Sequence, residues 1–228
     1  MIGGGSADRR IGGWLMLMLV LPSAHPPIRP SAQDPAPILD RASASFDTVR
    51  TLQADFVQIV DNPMVGDPDT TRGKLFQRRP SYFAMRFTDP NNDRVVADGR
   101  RLWLYTPSTT PGQVIRTAIP GTGTTGPNLI GQFVEHPRER YTARYDRSDS
   151  TADGAVDVVT LTPRARDLPY SAATIWIAKR DGLVRRIEIV ENSGQRRTIM
   201  LRNVTVNRAI AAREFRFSPT SGVRVVDQ

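Results

Sequence analysis

The sequence of 228 residues contains no cysteine. That excludes a thiolate metal site, a cysteine nucleophile, a disulfide framework and a lipid anchor on an N-terminal cysteine. Histidine is nearly as scarce, with His25 and His136 only. His136, on a loop beside Pro137, has no Ser or Cys motif around it that would make a nucleophilic triad. No Asp, Glu or His cluster has metal-ligand spacing, so no metal and no cofactor is expected. Long hydrophobic runs are missing too: the apolar stretch Ile11–Leu21 falls well short of the about 20 residues that a bilayer-spanning helix needs. There is no repeat of constant period and no nucleic-acid motif. Gly121-Thr-Gly123 lacks the Gly-Lys-Ser/Thr of a phosphate loop. Asp153 and Asp157 flank turns and are expected to be solvated. An acid pair of the glycosidase kind stays open, because such residues need not be close in sequence.

What is present starts with a separable N-terminus. Arg9 and Arg10 precede the apolar run, and Pro22-Ser23-Ala24 and a Pro-rich stretch ending at Ala32 follow it. This is the layout of a secretory signal. Residues 1–32 are therefore read as signal peptide and Pro-rich linker, with cleavage after Ala24 or Ala32, and 33–228 as a single domain. Cleavage after Ala32 lowers the balance from 31 basic against 23 acidic residues to 28 against 22, which is still +6. The arginines are spread over nearly every strand-like run. A solvated sheet face ranks first as their role, an anionic membrane or acidic partner second, and nucleic acid a distant third. Hydrophobic residues make up 39%, enough for a core.

From Pro35, apolar Ile38, Leu39, Ala42, Phe46 and Val49 recur at helical spacing, and the prolines suit a first turn. Leu52 to Val60 alternates. The stretch from Arg72 to Pro107 then holds strand-like runs separated by Pro80, Asp89-Pro90-Asn91-Asn92 and the hairpin signal Asp98-Gly99. Phe83, Met85 and Phe87 share one face; Leu102 and Leu104 lie opposite Trp103 and Tyr105, so that last strand is apolar on both faces. A strand at Gln113–Ile119, a flexible connection at Pro120–Gly126 and a short helical segment at Pro127–Val134 follow. The rest is a meander: 140–147, 155–162, 173–180, 183–191, 196–206, 214–217 and 223–226. Antiparallel hairpins with few helices exclude a parallel nucleotide-binding sheet. About ten strands are more than a flat sheet comfortably holds, so curling is expected.

The ordered set Gly73-x-Leu75, Arg79-Pro80-x-x-Phe83, Asp98-Gly99-x-x-Leu102-Trp103-x-Tyr105-x-Pro107, with the ending Phe215-x-Phe217-x-Pro219-x-x-Gly222-Val223-x-Val225-x-Asp227-Gln228, resembles the periplasmic outer-membrane lipoprotein carrier family, LolA, from about Ala36 onward. The resemblance implies an α+β fold: an unclosed, strongly curved antiparallel β half-barrel with an N-terminal helix and a short helical lid over a hydrophobic cavity. It implies no enzyme but a soluble, monomeric periplasmic carrier of acylated lipoproteins. Cargo would come from an inner-membrane lipoprotein-releasing ABC transporter and go to an outer-membrane receptor or to that membrane itself. Phe83, Met85, Phe87, Trp103, Tyr105, Leu129, Ile130 and Phe133 are the candidate lining of the acyl-chain cavity. Arg79 falls on the family's Arg before Pro, which latches the lid. Asn128 departs from the pattern, standing where the family generally has an apolar lid residue. Two other readings stand beside the carrier: a lipid-cavity sensor of the same fold that binds a signalling protein, and a secreted hydrolase.

Overall fold

The computed structural model describes residues 33–64, 66–120 and 126–228. The expected signal segment 1–32 and most of the flexible connection expected at Pro120–Gly126 lie outside the described residues. Helix α1, Ala36–Asp47, opens on Pro35 and buries Ile38, Leu39, Ala42 and Phe46, the stripe that its three- and four-residue spacing sets. Twelve strands follow in one sheet. The first six are β1 Thr51–Asp61, β2 Asp69–Arg78, β3 Tyr82–Asp89, β4 Asn91–Asp98, β5 Arg101–Tyr105 and β6 Gln113–Ala118. After the short helices α2 Gly131–Val134 and α3 Pro137–Arg140 come β7 Tyr141–Thr151, β8 Gly154–Pro163, β9 Tyr170–Ala178, β10 Val184–Glu191, β11 Arg196–Val206 and β12 Arg224–Asp227.

The spatial order is β12-β6-β5-β4-β3-β2-β1-β11-β10-β9-β8-β7. Every pairing is antiparallel except β12 with β6, and the sheet does not close. It curves around α1. Arg79, which directly follows β2, bonds the carbonyl of Phe46, while Arg41 pairs with Asp157 on β8. Five helical residues rise about 7.5 Å, whereas five strand spacings in a flat sheet measure about 24 Å. One face is therefore concave. It carries the main core, to which α1, β1 to β5 and β7 to β11 all contribute.

The order also shows two long crossings. The chain leaves β6 beside one edge and returns as β7 at the opposite edge, packing Leu129, Ile130, Phe133 and Val134 into the concave core. After β11, in the middle of the sheet, it crosses the convex face and ends as β12. The expected strand at 214–217 is instead a 3₁₀ turn at Ala212–Phe215. Its alternating phenylalanines imitate a strand, but they serve to cover the sheet: Phe215 is buried against Ala84 and Val96, with Tyr82, Trp103 and Phe217 around them. The Arg78 guanidinium lies 4.1 Å from the Tyr82 ring centroid and 5.0 Å from that of Phe215. Arg116 clamps Asp227 across the β6–β12 pair at 2.5 and 2.7 Å.

Gly73 is required by close packing. A Cβ there would lie 2.0 Å from the carbonyl oxygen of Arg86 and 2.9 Å from the ring of Phe56, beside the irregularity between β2 and β3. Phe56 fills the space and meets Phe87 edge-on at 5.1 Å. Gly73→Ala should destabilise by about 1–3 kcal/mol or more, the usual range for overpacking. Denaturant unfolding reads this as a lowered midpoint at unchanged slope; wild-type stability would show that the strands can part there without cost.

Candidate functional site

The seam between the concave cover and the sheet is built around Arg79. The turn after β2 directs its side chain at the last turn of α1, where carbonyls lack helical partners. Nη1 donates to the carbonyl oxygens of Phe46 at 2.9 Å and Val49 at 3.4 Å. Nη2 meets the Glu135 carboxylate at 2.7 Å, and the guanidinium sits 4.6 Å from the Phe46 ring centroid. Helix α1 has no basic residue in its last turn, so Arg79 also supplies the cation that a helix C-terminus favours. Glu135 is the residue that follows α2, and its N–H closes the turn on the carbonyl of Gly131. Arg79 therefore ties α1 to the covering segment. Of the carbonyls it takes, that of Phe46 belongs to α1 and that of Val49 to the turn after it, and it reaches the cover through a carboxylate.

Sequence reasoning missed the other anchors. Gln77, on β2 and 3% exposed, donates Nε2 to the carbonyl of Pro127 at 2.6 Å. Tyr141, the first residue of β7, donates its hydroxyl to the carbonyl of Gln132 at 2.9 Å and meets the Tyr170 hydroxyl at 2.8 Å. Phe133 packs on both tyrosine rings. Arg138 pairs with Asp40, joining α3 to α1. Gly131 permits the tight turn: a Cβ there would lie 2.7 Å from Oδ1 of Asn128. Asn128, expected as a departure from an apolar position, thus packs within the cover. A cleft of about 280 Å³ lined by Phe46, Gln77, Arg79, Ile119, Asn128 and Glu135 runs along this seam.

Burial raises the pKa of Tyr141, helped by its bond with Tyr170, and burial likewise raises that of Tyr170. Both hydroxyls are therefore neutral in the folded chain. A raised folded pKa means the contribution of this pair is present below the unfolded value of about 10 and is lost as pH rises through the folded values.

The expected lining divides in two. Phe83, Met85, Leu129, Ile130 and Phe133 lie in the concave core at 3% exposure or less, and Phe87 packs against it half-buried. Trp103 and Tyr105 do not belong with them. Their rings meet Phe217 at 5.5 and 5.4 Å, on the convex face, and the concave positions of β5 are Leu102 and Leu104. Alternation separated the two pairs, and the pair expected as lining is the convex one. Asp157 is a second correction. It is 5% exposed and is held by Arg41 at 3.0 Å and Lys179 at 3.3 Å, because α1 closes over it. His136 is exposed. Among the described residues no group of three or more His, Asp or Glu could hold a metal ion, and no helix is long and apolar enough to cross a membrane.

Arg79→Leu should loosen the cover without melting the sheet. Bonds from a charged group are typically worth about 1.5–3 kcal/mol, so the open population should rise roughly tenfold to a hundredfold. Amide exchange around 129–135 should quicken while β10 stays protected. Arg79→Lys should restore part of the protection, since one ammonium cannot reproduce the planar fork. Unchanged exchange in Arg79→Leu would remove Arg79 from the latch. Tyr141→Phe should cost about 0.5–1.5 kcal/mol and loosen the same segment at its other anchor.

The comparisons with known proteins agree with this architecture. The family model described as "Outer membrane lipoprotein carrier protein LolA" matches residues 47–218. An uncharacterized conserved protein from Thermus thermophilus is 13% identical with a TM-score of 0.53, covering 86% of this chain and 100% of its own. MucB is 15% identical with a TM-score of 0.51; the match covers 84% of this chain and 64% of MucB. A LolA superfamily protein from Nitrosomonas europaea is 15% identical with a TM-score of 0.41, covering 82% and 99%. With a family model matched over most of its length, on an open antiparallel sheet with an N-terminal helix, the chain belongs to the LolA outer membrane lipoprotein carrier family.

Proposed function

We propose that the protein is a periplasmic carrier that shields the acyl chains of lipoproteins against its concave face and moves them from the inner to the outer membrane. The observation that carries this reading is the cover. The concave core is apolar, and part of it is supplied by a segment whose helices have four residues each. Such helices have no stability of their own, so the segment keeps its shape only by packing and by a few polar anchors. Lifting it uncovers Phe83 and Met85 and the neighbouring wall. Each methylene removed from water there is worth about 0.8 kcal/mol, which holds a multi-chain ligand that cannot otherwise cross water. Reclosing expels it.

In this reading an inner-membrane lipoprotein-releasing ABC transporter supplies the cargo, and an outer-membrane receptor or the membrane itself accepts it. The role is binding, not catalysis. A second reading, a regulatory module of the same fold that binds a signalling protein, is favoured by one observation: the interior is filled with the chain's own side chains. MucB, similar in fold, has been crystallised in complex with MucA.

Mass spectrometry of protein purified from its native envelope should find acylated proteins bound in about equal molar amount. A stoichiometric complex with one unacylated protein, free of acyl chains, would replace the carrier with the regulatory module.

A further inference from the structure

The concave face changes character along its strands. In the middle, Leu75, Met85 and Val95 lie side by side on β2, β3 and β4, and all are buried. Phe56 and Phe87 come next toward the rim away from α1. Beyond them the wall turns polar. Gln58 lies between Thr71 and Ile199, and one rung further Arg197 lies between Val60 and Ile189. Cross-strand partners share a face, so these polar side chains stand on the same surface as the apolar core. Gln58 and Thr71 are 9% and 7% exposed.

The polar groups are joined loosely. Arg197 Nη1 donates to Gln58 Oε1 at 3.3 Å, and Gln58 Nε2 to Thr71 Oγ1 at 3.4 Å. Arg197 Nη2 stands 3.5 Å from the Glu191 carboxylate. These distances exceed the usual ~2.9–3.0 Å. Nε of Arg197 is buried without a hydrogen-bond partner. Packing alone favours aliphatic residues at these positions, as Ile199, Ile189 and Val60 beside them show. A guanidinium with donors to spare, set in a mostly apolar wall, suits an acceptor brought by something else.

We propose that Arg197, Gln58 and Thr71 bind the oxygen acceptors at the polar end of an acylated ligand, either ester and amide carbonyls or a phosphate. The ligand then lies with its chains toward α1 and its polar end at the far rim. This rests on the carrier reading and adds an orientation to it. Strand rise supports the fit: the six steps from Leu52 to Gln58 span about 20 Å, enough for the ~15 Å depth of one leaflet of a bilayer's ~30 Å hydrocarbon core. Carbonyls at the head of such chains cannot be buried unpaired without cost, and the rung meets them where the apolar wall ends.

The test compares wild type with Arg197→Met, which keeps an unbranched side chain but removes every N–H, and with Thr71→Val, which keeps shape but removes the hydroxyl. Three probes separate the contributions: diphenylhexatriene, which has no polar head; a synthetic dipalmitoylglyceryl-cysteine peptide; and short-chain phosphatidylglycerol below its micelle concentration. Arg197→Met should weaken the peptide, the phospholipid or both at least tenfold, Thr71→Val several-fold, and neither should change diphenylhexatriene binding. Loss shared by peptide and phospholipid assigns the ester carbonyls common to both, loss confined to the peptide its amide carbonyls, and loss confined to the phospholipid the phosphate. Equal losses for all three probes, or none, overturn the rung. If Arg197→Met does not fold, as its melting curve will show, Thr71→Val decides by the same criteria. Failure of wild-type protein to bind any probe would instead overturn the carrier reading beneath.

Discussion

An open sheet that is apolar on both faces must be covered on both, and this chain supplies both covers. The two are built for different permanence. The convex one is aromatic and ends in a strand: Phe215 is buried under the crossing, and β12 pairs with β6 and is clamped by Arg116 and Asp227. The concave one consists of α1 and the short segment before β7, joined to the sheet by Arg79, Gln77 and Tyr141. It pairs with no strand. Removing it breaks no ladder hydrogen bond, and the sheet keeps its convex cover meanwhile.

Magnitudes favour an exchange between cover and ligand. Fully burying a residue such as Leu129, Ile130 or Phe133 is worth about 1.5–3 kcal/mol each, so these three hold the cover with roughly 5–9 kcal/mol. About ten methylenes of acyl chain, at about 0.8 kcal/mol each, contribute a similar amount. In the proposed carrier, a chain of biological length would thus stand in for the cover, and the empty protein would stay closed. The Arg79–Glu135 pair is about a third exposed, so solvent competes with it. It adjusts this balance; apolar burial sets the scale.

Much of the fold was legible because it is local. Alternation and turn chemistry placed the runs of β1 to β6 and the hairpins of the second half, with ends off by up to four residues as at β7, and helical spacing placed α1. Longer-range features were not. The 3₁₀ turn at Phe215 has strand-like spacing, and only its position across the convex face distinguishes it. Trp103 and Leu102 are equally apolar, and nothing local says which face is concave. Asp157 reads as a solvated turn residue until α1 brings Arg41 over it. Arg79 was legible through its motif, but its partners Phe46 and Glu135, 33 and 56 residues away, depend on the curvature of the whole sheet. Helix α2 was expected only as part of a longer helical segment at 127–134, and α3, with four residues, is too short for any period to mark.

The central claim is that the concave core becomes a ligand cavity when the segment before β7 gives way. A structure of the complex with a diacylglyceryl peptide tests it most directly. The expected result is acyl chain density against Phe83 and Met85, with Leu129, Ile130 and Phe133 displaced and the convex cover unmoved. Acyl chains bound elsewhere on the surface, with those three side chains still in place, would contradict it.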